Sequence, residues 1–393
     1  MSIESIDKLT ELLCSQDLAV VKQGSDLWLQ SHDEEITTAL LEGLVVTPDG
    51  DAPFYFDEPG PLSAARWDVQ AAFPVLVQRG LLSELTIINL SESPLTDLSS
   101  IRGLPSLKTL TLPCHGSVWE ELCGFDGLLE CTQLTEIGLN RLSFDSLPEE
   151  LVSRLESLTL FYDEEGEGIP DLSAAVSLRY LELDECTELL SIEEVSHLKN
   201  LEDLTIFNGF SIEELDPISE LSSLRKLRLV ACSGCWDFGP VGDLVSLEWL
   251  TISHTRAFED LGWVCALTNL DRLSLYECTA LYDIDDIVEL ISLTRLELNN
   301  CTNITDGSPI GDLTGLQYLS LNRTNIDSVQ FVEQLQYLET LYLVGCSELI
   351  DIPCLDGLSN LKLINVNGCS SLSDESIANL KSLADNGCRI FGL

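Results

Sequence analysis

Leucines recur along most of the chain in a fixed six-residue pattern, L-x-x-L-x-L. Clean copies begin at Leu178, Leu201, Leu224, Leu247, Leu270, Leu293, Leu316, Leu338 and Leu361. Successive copies lie 23 residues apart, except for a single step of 22. Looser copies begin at Leu85, Leu107, Leu134 and Leu155. A register that persists over 13 units is the signature of stacked structural repeats.

Each unit predicts one short strand followed by a turn. Residues 270–292, LDRLSLYECTALYDIDDIVELIS, are a good example, and we number repeat positions from the first leucine. The L-x-L alternation indicates a strand with one buried face, and the later Leu and Ile positions fill the opposite side. That side is too short for long helices and often contains Pro or Asp, which favours 3₁₀ turns and extended chain. With strands about 4.8 Å apart, 13 of them form a parallel sheet on the order of 60 Å long.

The unit resembles the leucine-rich repeat superfamily. L-x-x-L-x-L-x-x-C-x-x-L-x-D-I-x-x-I-x-x-L is similar to the 22-residue repeats of bacterial internalin-type and phosphatase-regulator-type proteins, with one residue added after the cysteine. It is unlike the longer alternating repeats of ribonuclease inhibitor. The resemblance implies an α/β solenoid, a leucine-rich repeat horseshoe with a parallel concave sheet.

The segments outside the repeats predict caps, which shield the exposed ends of such an array. Residues 3–46 and 62–80 show helical patterning, with a kink at Pro74, and residues 47–61 are rich in Pro and Gly and predict a loop. We therefore expect a helical N-terminal cap over residues 1–81 and the repeat solenoid over residues 82–381. A C-terminal cap over residues 382–393 closes the array, and the stretch 374–393 predicts a last helix and a partial strand.

The charge is strongly acidic. The chain has 66 Asp and Glu against 20 Lys and Arg, a formal net charge of −46. This argues against binding to nucleic acid or anionic lipid and favours a basic protein partner. The N-terminus shows no signal peptide pattern, and no stretch of 18 apolar residues predicts a membrane span. We expect a cytoplasmic protein with reduced thiols, a monomer or weak homodimer.

The cysteines suggest a structural ladder. Six of the 14 cysteines share position 9 of their repeats, where a small polar group bonds to turn backbone: Cys186, Cys232, Cys278, Cys301, Cys346 and Cys369. Cys235 completes a C-x-x-C pair with Cys232, but it falls on position 12, which is a buried apolar position. A zinc site requires a second pair or histidines at a suitable spacing, and none is evident. We expect no metal and no cofactor.

The candidate binding residues lie on the predicted concave face, at positions 3, 5 and 7 of the repeats. Aromatic and basic side chains gather there, and these residue types dominate binding hot spots. The predicted site comprises Tyr180, Phe207, Lys226, Arg228, Trp249, Arg272, Tyr276, Arg295, Tyr318 and Tyr342. An alternative is that aromatic–arginine stacking only stabilises the sheet.

These observations predict a non-enzymatic protein-binding module that uses the concave face. No catalytic motif such as H-E-x-x-H or G-x-S-x-G is present. A second possibility is an acidic inhibitor or decoy that clamps a basic protein, such as a nuclease or toxin. A third is a targeting subunit whose N-terminal helical region recruits an effector.

Overall fold

The computed structural model describes residues 82–90, 97–112, 122–162 and 168–393, together with isolated positions before residue 82. The chain divides into two compact units. The first comprises Met1–Asp163 and Ala174–Leu178, and the second comprises Glu164–Ser173 and Arg179–Leu393. This division falls within the repeats, so the predicted boundary at residue 81 stays a prediction.

Fourteen short parallel strands follow one another in chain order. The first unit contains β3 (Ile87–Asn89), β4 (Thr109–Thr111), β5 (Glu136–Asn140) and β6 (Ser157–Phe161). The second contains β7 (Tyr180–Asp184), β8 (Asp203–Phe207), β9 (Lys226–Val230), β10 (Trp249–Ser253), β11 (Arg272–Tyr276), β12 (Arg295–Glu297), β13 (Tyr318–Ser320), β14 (Thr340–Tyr342), β15 (Leu363–Asn365) and β16 (Arg389–Phe391). Each strand from β3 to β15 begins two residues after a repeat leucine, which confirms the predicted repeats.

Neighbouring strands pair without any slip of register. Trp249 lies opposite Lys226 on one side and Arg272 on the other, so equivalent repeat positions form straight rows across the sheet. The leucines of positions 1, 4 and 6 are fully buried, as Leu270, Leu273 and Leu275 show. A one-residue slip would turn these leucines to solvent, which holds the register firmly.

The opposite side of most repeats carries a 3₁₀ helix, as predicted. In the second unit they span Glu193–His197, Asp216–Glu220, Gly262–Val264, Asp285–Glu289, Ser308–Asp312 and Gln330–Gln334. In the first unit they span Leu98–Ile101, Phe125–Glu130 and Arg141–Ser146. Single α-helical turns stand at α1 (Glu149–Val152) and α2 (Gly239–Gly242).

A residue in the left-handed conformation ends each strand of the clean repeats. It stands at position 8, and its φ lies between 56° and 59° at Glu185, Asn208, Ala231, His254, Glu277, Asn300 and Arg323. Glycine takes the position at Gly345 and Gly368. This one sharp turn sends the chain from the sheet to the opposite side, immediately before the position of the cysteines.

The C-terminal end closes with α3 (Asp374–Asp385) and β16. The Ser373 side chain accepts a hydrogen bond from the Ser376 amide and caps α3. Strand β16 pairs with β15, so the predicted last helix and partial strand are confirmed. Helix α3 begins after its capping residue Ser373 and continues to Asp385. It therefore crosses the boundary between solenoid and C-terminal cap that the sequence predicted at residue 381.

The N-terminal region corrects one part of the prediction. Leu44–Val46 (β1) and Phe54–Phe56 (β2) pair as antiparallel strands, where we expected the end of a helix and a loop. The stretches LVV and FYF contain β-branched and aromatic residues, and the intervening TPDGDAP consists largely of turn formers. Trp28 is helical and fully buried. Pro74 and most of the predicted helices lie outside the described residues.

Candidate binding face

The candidate site lies on the outward side of the second unit's sheet. We use the term sheet face for the side chains at positions 3, 5 and 7 of strands β7 to β14. Strand alternation turns these side chains away from the leucine core. Most are half-buried, and Arg272 and Tyr276 are exposed, whereas Thr205, Ser253 and Ser320 are buried between larger neighbours. The face therefore offers large side chains separated by shallow gaps.

Trp249 stands between two cations. The Lys226 Nζ lies 4.4 Å from the centroid of the indole ring, and the Arg272 guanidinium carbon lies 5.1 Å from it on the neighbouring strand. The indole Nε1 donates to the Thr251 hydroxyl at 3.1 Å. Such cation–π contacts hold long side chains in one place on an otherwise mobile surface. Lys226 also pairs with Asp203 Oδ2 at 3.0 Å.

A second stack continues the same row. The Arg295 guanidinium carbon lies 3.6 Å from the centroid of Tyr318, and the rings of Tyr318 and Tyr342 are 5.7 Å apart. Arg295 Nε donates to Glu297 Oε1 at 2.6 Å. Burial and the nearby Glu297 carboxylate raise the pKa of Tyr318, so this phenol stays neutral.

Arg228 differs from the other cations of the face. Its Nε donates to the Thr205 hydroxyl at 2.9 Å. Within the described part of the chain, no ion pair joins its guanidinium to a carboxylate. Arg225, three residues earlier, instead forms an ion pair with Glu248 at the edge of the strands. Both arginines reach the surface, but only Arg228 lies on the sheet face, where its guanidinium can meet a carboxylate of a partner.

The remaining predicted residues flank these stacks. Tyr180 donates its hydroxyl to Glu182 on the same strand, and burial raises the pKa of the phenol. Phe207 is half-buried at the end of β8. Tyr276 is exposed, and its ring lies 5.3 Å from that of His254, which approaches Glu277 at 3.3 Å.

The part of the sheet face from β9 to β14 has a charge opposite to that of the whole chain, whereas β7 and β8 add the acids Glu182, Asp184 and Asp203. From β9 to β14 its 18 positions hold four cations (Lys226, Arg228, Arg272 and Arg295) and one acid (Glu297), a net of +3 in a chain of net −46. The neighbouring row at position 2 is partly acidic, with Glu248, Asp271 and Glu339. A basic and aromatic stripe therefore runs beside an acidic border.

The six predicted ladder cysteines lie directly after the left-handed turn residues. Four of their thiols reach carbonyl oxygens of the preceding repeat: Cys278 to Ile252 at 3.7 Å, Cys301 to Leu275 at 3.6 Å, Cys346 to Leu321 at 3.0 Å and Cys369 to Leu343 at 2.9 Å. Gly209, Thr255 and Thr324 occupy position 9 in the repeats between them. A Cβ on Gly209 would lie 3.1 Å from the Cys232 sulfur, so the glycine leaves room for this thiol.

The C-x-x-C pair is enclosed by the core. Cys232 and Cys235 are both buried, and Cys235 donates to the Ile212 carbonyl at 3.2 Å. Burial raises the pKa of each thiol to about 12, so both are protonated and weakly nucleophilic at neutral pH. Among the described residues, no cluster of three or more His, Cys, Asp or Glu side chains is arranged to hold a metal ion.

Two features of the surface were absent from the sequence interpretation. His254, at position 8, contacts Tyr276 and borders the sheet face. The sequence prediction used only positions 3, 5 and 7 and so did not include it. A row of exposed side chains at position 13 was also missed. Comparing the residues at every repeat position, rather than at positions 3, 5 and 7 alone, would have revealed His254 and the row at position 13.

Short parallel strands in chain order, each followed by a left-handed turn and a 3₁₀ segment, define a leucine-rich repeat solenoid. The fold of the chain is therefore that of a leucine-rich repeat solenoid. It resembles the crystal structure of an internalin from Listeria monocytogenes with a TM-score of 0.52 and 20% identity, over 91% of this chain and 96% of the other.

Two further structures are similar at lower scores. A leucine-rich repeat protein from Leptospira interrogans has a TM-score of 0.41 and 20% identity, over 80% of this chain and 97% of the other. The functional domain of InlJ from Listeria monocytogenes, which includes a cysteine ladder, has a TM-score of 0.45 and 19% identity, over 78% of this chain and 72% of the other. No family model and no curated protein matches the chain. In the described part of the chain, no helix has the length and apolar character needed to cross a membrane.

Proposed function

We propose that the protein is a non-enzymatic protein-binding module whose sheet face, between residues 203 and 320, receives the partner. The concentration of four cations and several aromatic rings on one face of a chain with net charge −46 carries this proposal. Arginine and aromatic side chains supply most of the binding energy in protein interfaces. The proposal assigns no catalytic residue and no cofactor.

The stacking contacts support binding as well as sheet stability. A guanidinium held against an indole or phenol ring loses little further freedom when a partner binds, which lowers the entropic cost of association. Trp249 holds Arg272 and Tyr318 holds Arg295 in this way. The expected partner therefore presents an acidic or aromatic anchor to the stripe and basic groups to the acidic border.

Arg228 and Arg225 provide a matched test. A partner is first isolated from the native cell and then titrated against the purified protein. We expect Arg228→Gln to weaken binding at least about tenfold, as for a hot-spot charge, while Arg225→Gln, with the same charge change, stays within about twofold. The triple variant Trp249→Ala/Arg272→Ala/Arg295→Ala is expected to abolish recovery of the partner. Equal recovery with the triple variant, or equal losses for the two arginines, would exclude the face as the site.

A second candidate function, an acidic clamp for a basic protein such as a nuclease or toxin, is favoured by the net charge of −46. Charge-driven binding weakens steeply as salt rises, because exposed charges are screened. The candidate predicts that affinity falls at least about tenfold between 50 and 300 mM NaCl. It also predicts equal effects of Arg228→Gln and Arg225→Gln, which separates it from the sheet-face proposal.

We also propose that the protein works in a reducing, cytoplasmic setting. The thiols of the ladder donate hydrogen bonds to carbonyl groups, a role that an oxidised sulfur cannot fill. If this is right, protein alkylated in the lysing buffer and denatured before analysis should carry adducts on all 14 cysteines. Mass spectrometry that finds disulfide-linked cysteines would contradict this setting.

A further inference from the structure

A second exposed row runs along the opposite edge of the second unit, at position 13 of its repeats. In five successive repeats it alternates between large apolar and acidic residues: Leu190, Glu213, Trp236, Glu259 and Tyr282. We call these five residues the outer row. The row lies between core positions 12 and 15, and it is well separated in the repeat from the sheet face at positions 3, 5 and 7.

The apolar members of the outer row face solvent. Leu190 is 67% exposed, Trp236 is 65% exposed and Tyr282 is 56% exposed, whereas their neighbours at position 12, Leu189, Cys235 and Leu281, are buried. These side chains therefore add nothing to the core that the repeat requires. Large exposed apolar groups in an ordered array are typical of an interaction surface.

The spacing of the outer row follows from the backbone. The Tyr282 amide donates to the Glu259 carbonyl at 3.1 Å, so these two members of the row are joined directly, and we take the other steps of the row to be similar. Adjacent repeats joined in this way are about 4.8 Å apart. Apolar side chains two repeats apart therefore recur about every 10 Å, with one carboxylate between each pair.

The surroundings of the outer row are acidic. Position 14 contributes Glu214, Asp237, Asp260 and Asp283. In the last three, Oδ1 accepts the amide of Gly239, Gly262 or Asp285 at 2.8 to 3.0 Å. This charge, within a chain of net −46, disfavours a second copy of the protein and an anionic membrane, and it favours a basic partner.

We propose that the outer row binds a basic amphipathic helix of a partner protein. An α-helix rises 1.5 Å per residue, so residues i, i+7 and i+14 recur every 10.5 Å along one face. Large apolar residues at this spacing meet Leu190, Trp236 and Tyr282. Lys or Arg at i+3, i+4, i+10 and i+11 falls midway, opposite Glu213 and Glu259. The site is distinct from the sheet face and does not depend on it.

A synthetic peptide tests the proposal with the intact protein. The probe is an alanine-rich, fluorescein-labelled helix with Leu at i, i+7 and i+14 and Lys at i+3, i+4, i+10 and i+11. A control peptide of the same composition distributes the leucines around the helix. Fluorescence anisotropy is expected to show saturable binding of the probe and at least about tenfold weaker binding of the control. Equal binding of both peptides, or no binding of the probe, would overturn the proposal.

Paired variants locate the site. Trp236→Ser/Tyr282→Ser and Glu213→Lys/Glu259→Lys are each expected to weaken probe binding at least about tenfold. Val245→Ser/Ile291→Ser removes side chains that are 54% and 76% exposed elsewhere on the same unit, and it should leave binding within about twofold. Arg228→Gln should also leave it unchanged, which separates this site from the sheet face. Full binding by both outer-row variants would exclude the row.

Two other occupants are outcomes of the same experiment. Concentration-dependent dimerisation in sedimentation, lost in Trp236→Ser/Tyr282→Ser, would assign the row to a second copy of the chain. Flotation with vesicles of phosphatidylcholine and phosphatidylserine, lost in the same variant, would assign it to a membrane surface. Either result would replace the proposal.

Discussion

The residue at position 8 bears the sharpest conformational demand of each repeat. Seven non-glycine residues there have φ near +57°, a region that costs an L-residue about 1 to 2 kcal/mol. Ala231 lacks a polar side chain with which to compensate for this, whereas Gly345 and Gly368 avoid the cost. The solenoid therefore contains a repeated and unequal strain.

Opposite substitutions at position 8 should shift stability in opposite directions. Gly345→Ala is expected to lower the free energy of unfolding by more than about 1 kcal/mol, because φ is +74° and the new Cβ lies 3.0 Å from Arg323 Cγ. Ala231→Gly should raise it by about 0.5 kcal/mol, since relief of strain exceeds the entropy gained by the unfolded chain. Urea denaturation followed by circular dichroism measures both. Shifts of the same sign would contradict this account.

The buried thiols should make the protein sensitive to alkali. Burial raises the pKa of Cys232 and Cys235 to about 12 from an ordinary value of 9.0, so between these values the unfolded chain loses protons that the folded chain retains. The contribution of these thiols to the free energy of unfolding is complete below pH 9. It is lost as the pH rises toward 12, at up to about 1.4 kcal/mol per pH unit for each thiol.

The variant Cys232→Ala/Cys235→Ala isolates this effect. Its unfolding free energy should fall less steeply than that of the wild type between pH 9 and pH 11, although it is lower at pH 7 because packing is lost. Denaturation curves at each pH provide the comparison. Parallel curves would show that these thiols do not titrate on unfolding.

Among the elements, the 3₁₀ segments depend on a repeated side-chain cap. An Asp or Ser at position 14 accepts the amide two residues further along the chain, as Asp306 does from Ser308 at 2.8 Å and Ser191 from Glu193 at 3.2 Å. This bond satisfies an amide that the short helix leaves unpaired. It explains why the repeat contains L-x-D-I at this point.

The cap predicts different effects for two substitutions of one residue. Asp306→Ala should lower the free energy of unfolding by about 1 kcal/mol, since it removes the acceptor. Asp306→Asn keeps an acceptor oxygen, and it should stay within about 0.5 kcal/mol of the wild type. If both variants lose equal stability in urea denaturation, the carboxylate charge rather than the hydrogen bond is responsible.

For the molecule as a whole, the excess of acids is a cost to the folded state. The acidic side chains behind a net charge of −46 repel one another in the folded chain, and added salt screens that repulsion. In the described part of the chain, several of the cations pair with acids, as in Lys199–Glu220 and Lys362–Glu339. Such exposed pairs contribute little.

Salt should therefore stabilise the fold. We expect the melting temperature to rise by a few degrees between about 20 and 300 mM NaCl, because the Debye length falls from roughly 20 Å to below 8 Å. KCl at equal ionic strength should act alike, since screening does not depend on the cation. A melting temperature that falls with salt would show that attractive ion pairs outweigh the repulsion.

The sequence accounts for the repeat region in detail and for the binding face in part. Every strand from β3 to β15 begins where the leucine register predicted, because the two-residue alternation of a strand is a local property of the chain. The sequence did not predict that Trp249 stacks between Lys226 and Arg272. Cross-strand pairs on a surface differ in free energy by about 1 kcal/mol or less, and they depend on which side chains meet. The prediction of a helix end and a loop at the positions of β1 and β2 was wrong, because short apolar runs fit a helix and a strand equally well.

The covalent order of the residues was enough to establish the solenoid, since a fixed repeat length leaves stacking as the way to bury thirteen leucine faces. The tertiary structure determined how exposed each side chain is and which partners each polar side chain has. The leucine register already placed Arg225 and Arg228 at different repeat positions, but only the fold shows that Arg225 pairs with Glu248 and that Arg228 donates to Thr205. The outer row can be read from the repeat register, but the exposure of its apolar side chains and their separation of about 10 Å depend on the folded arrangement.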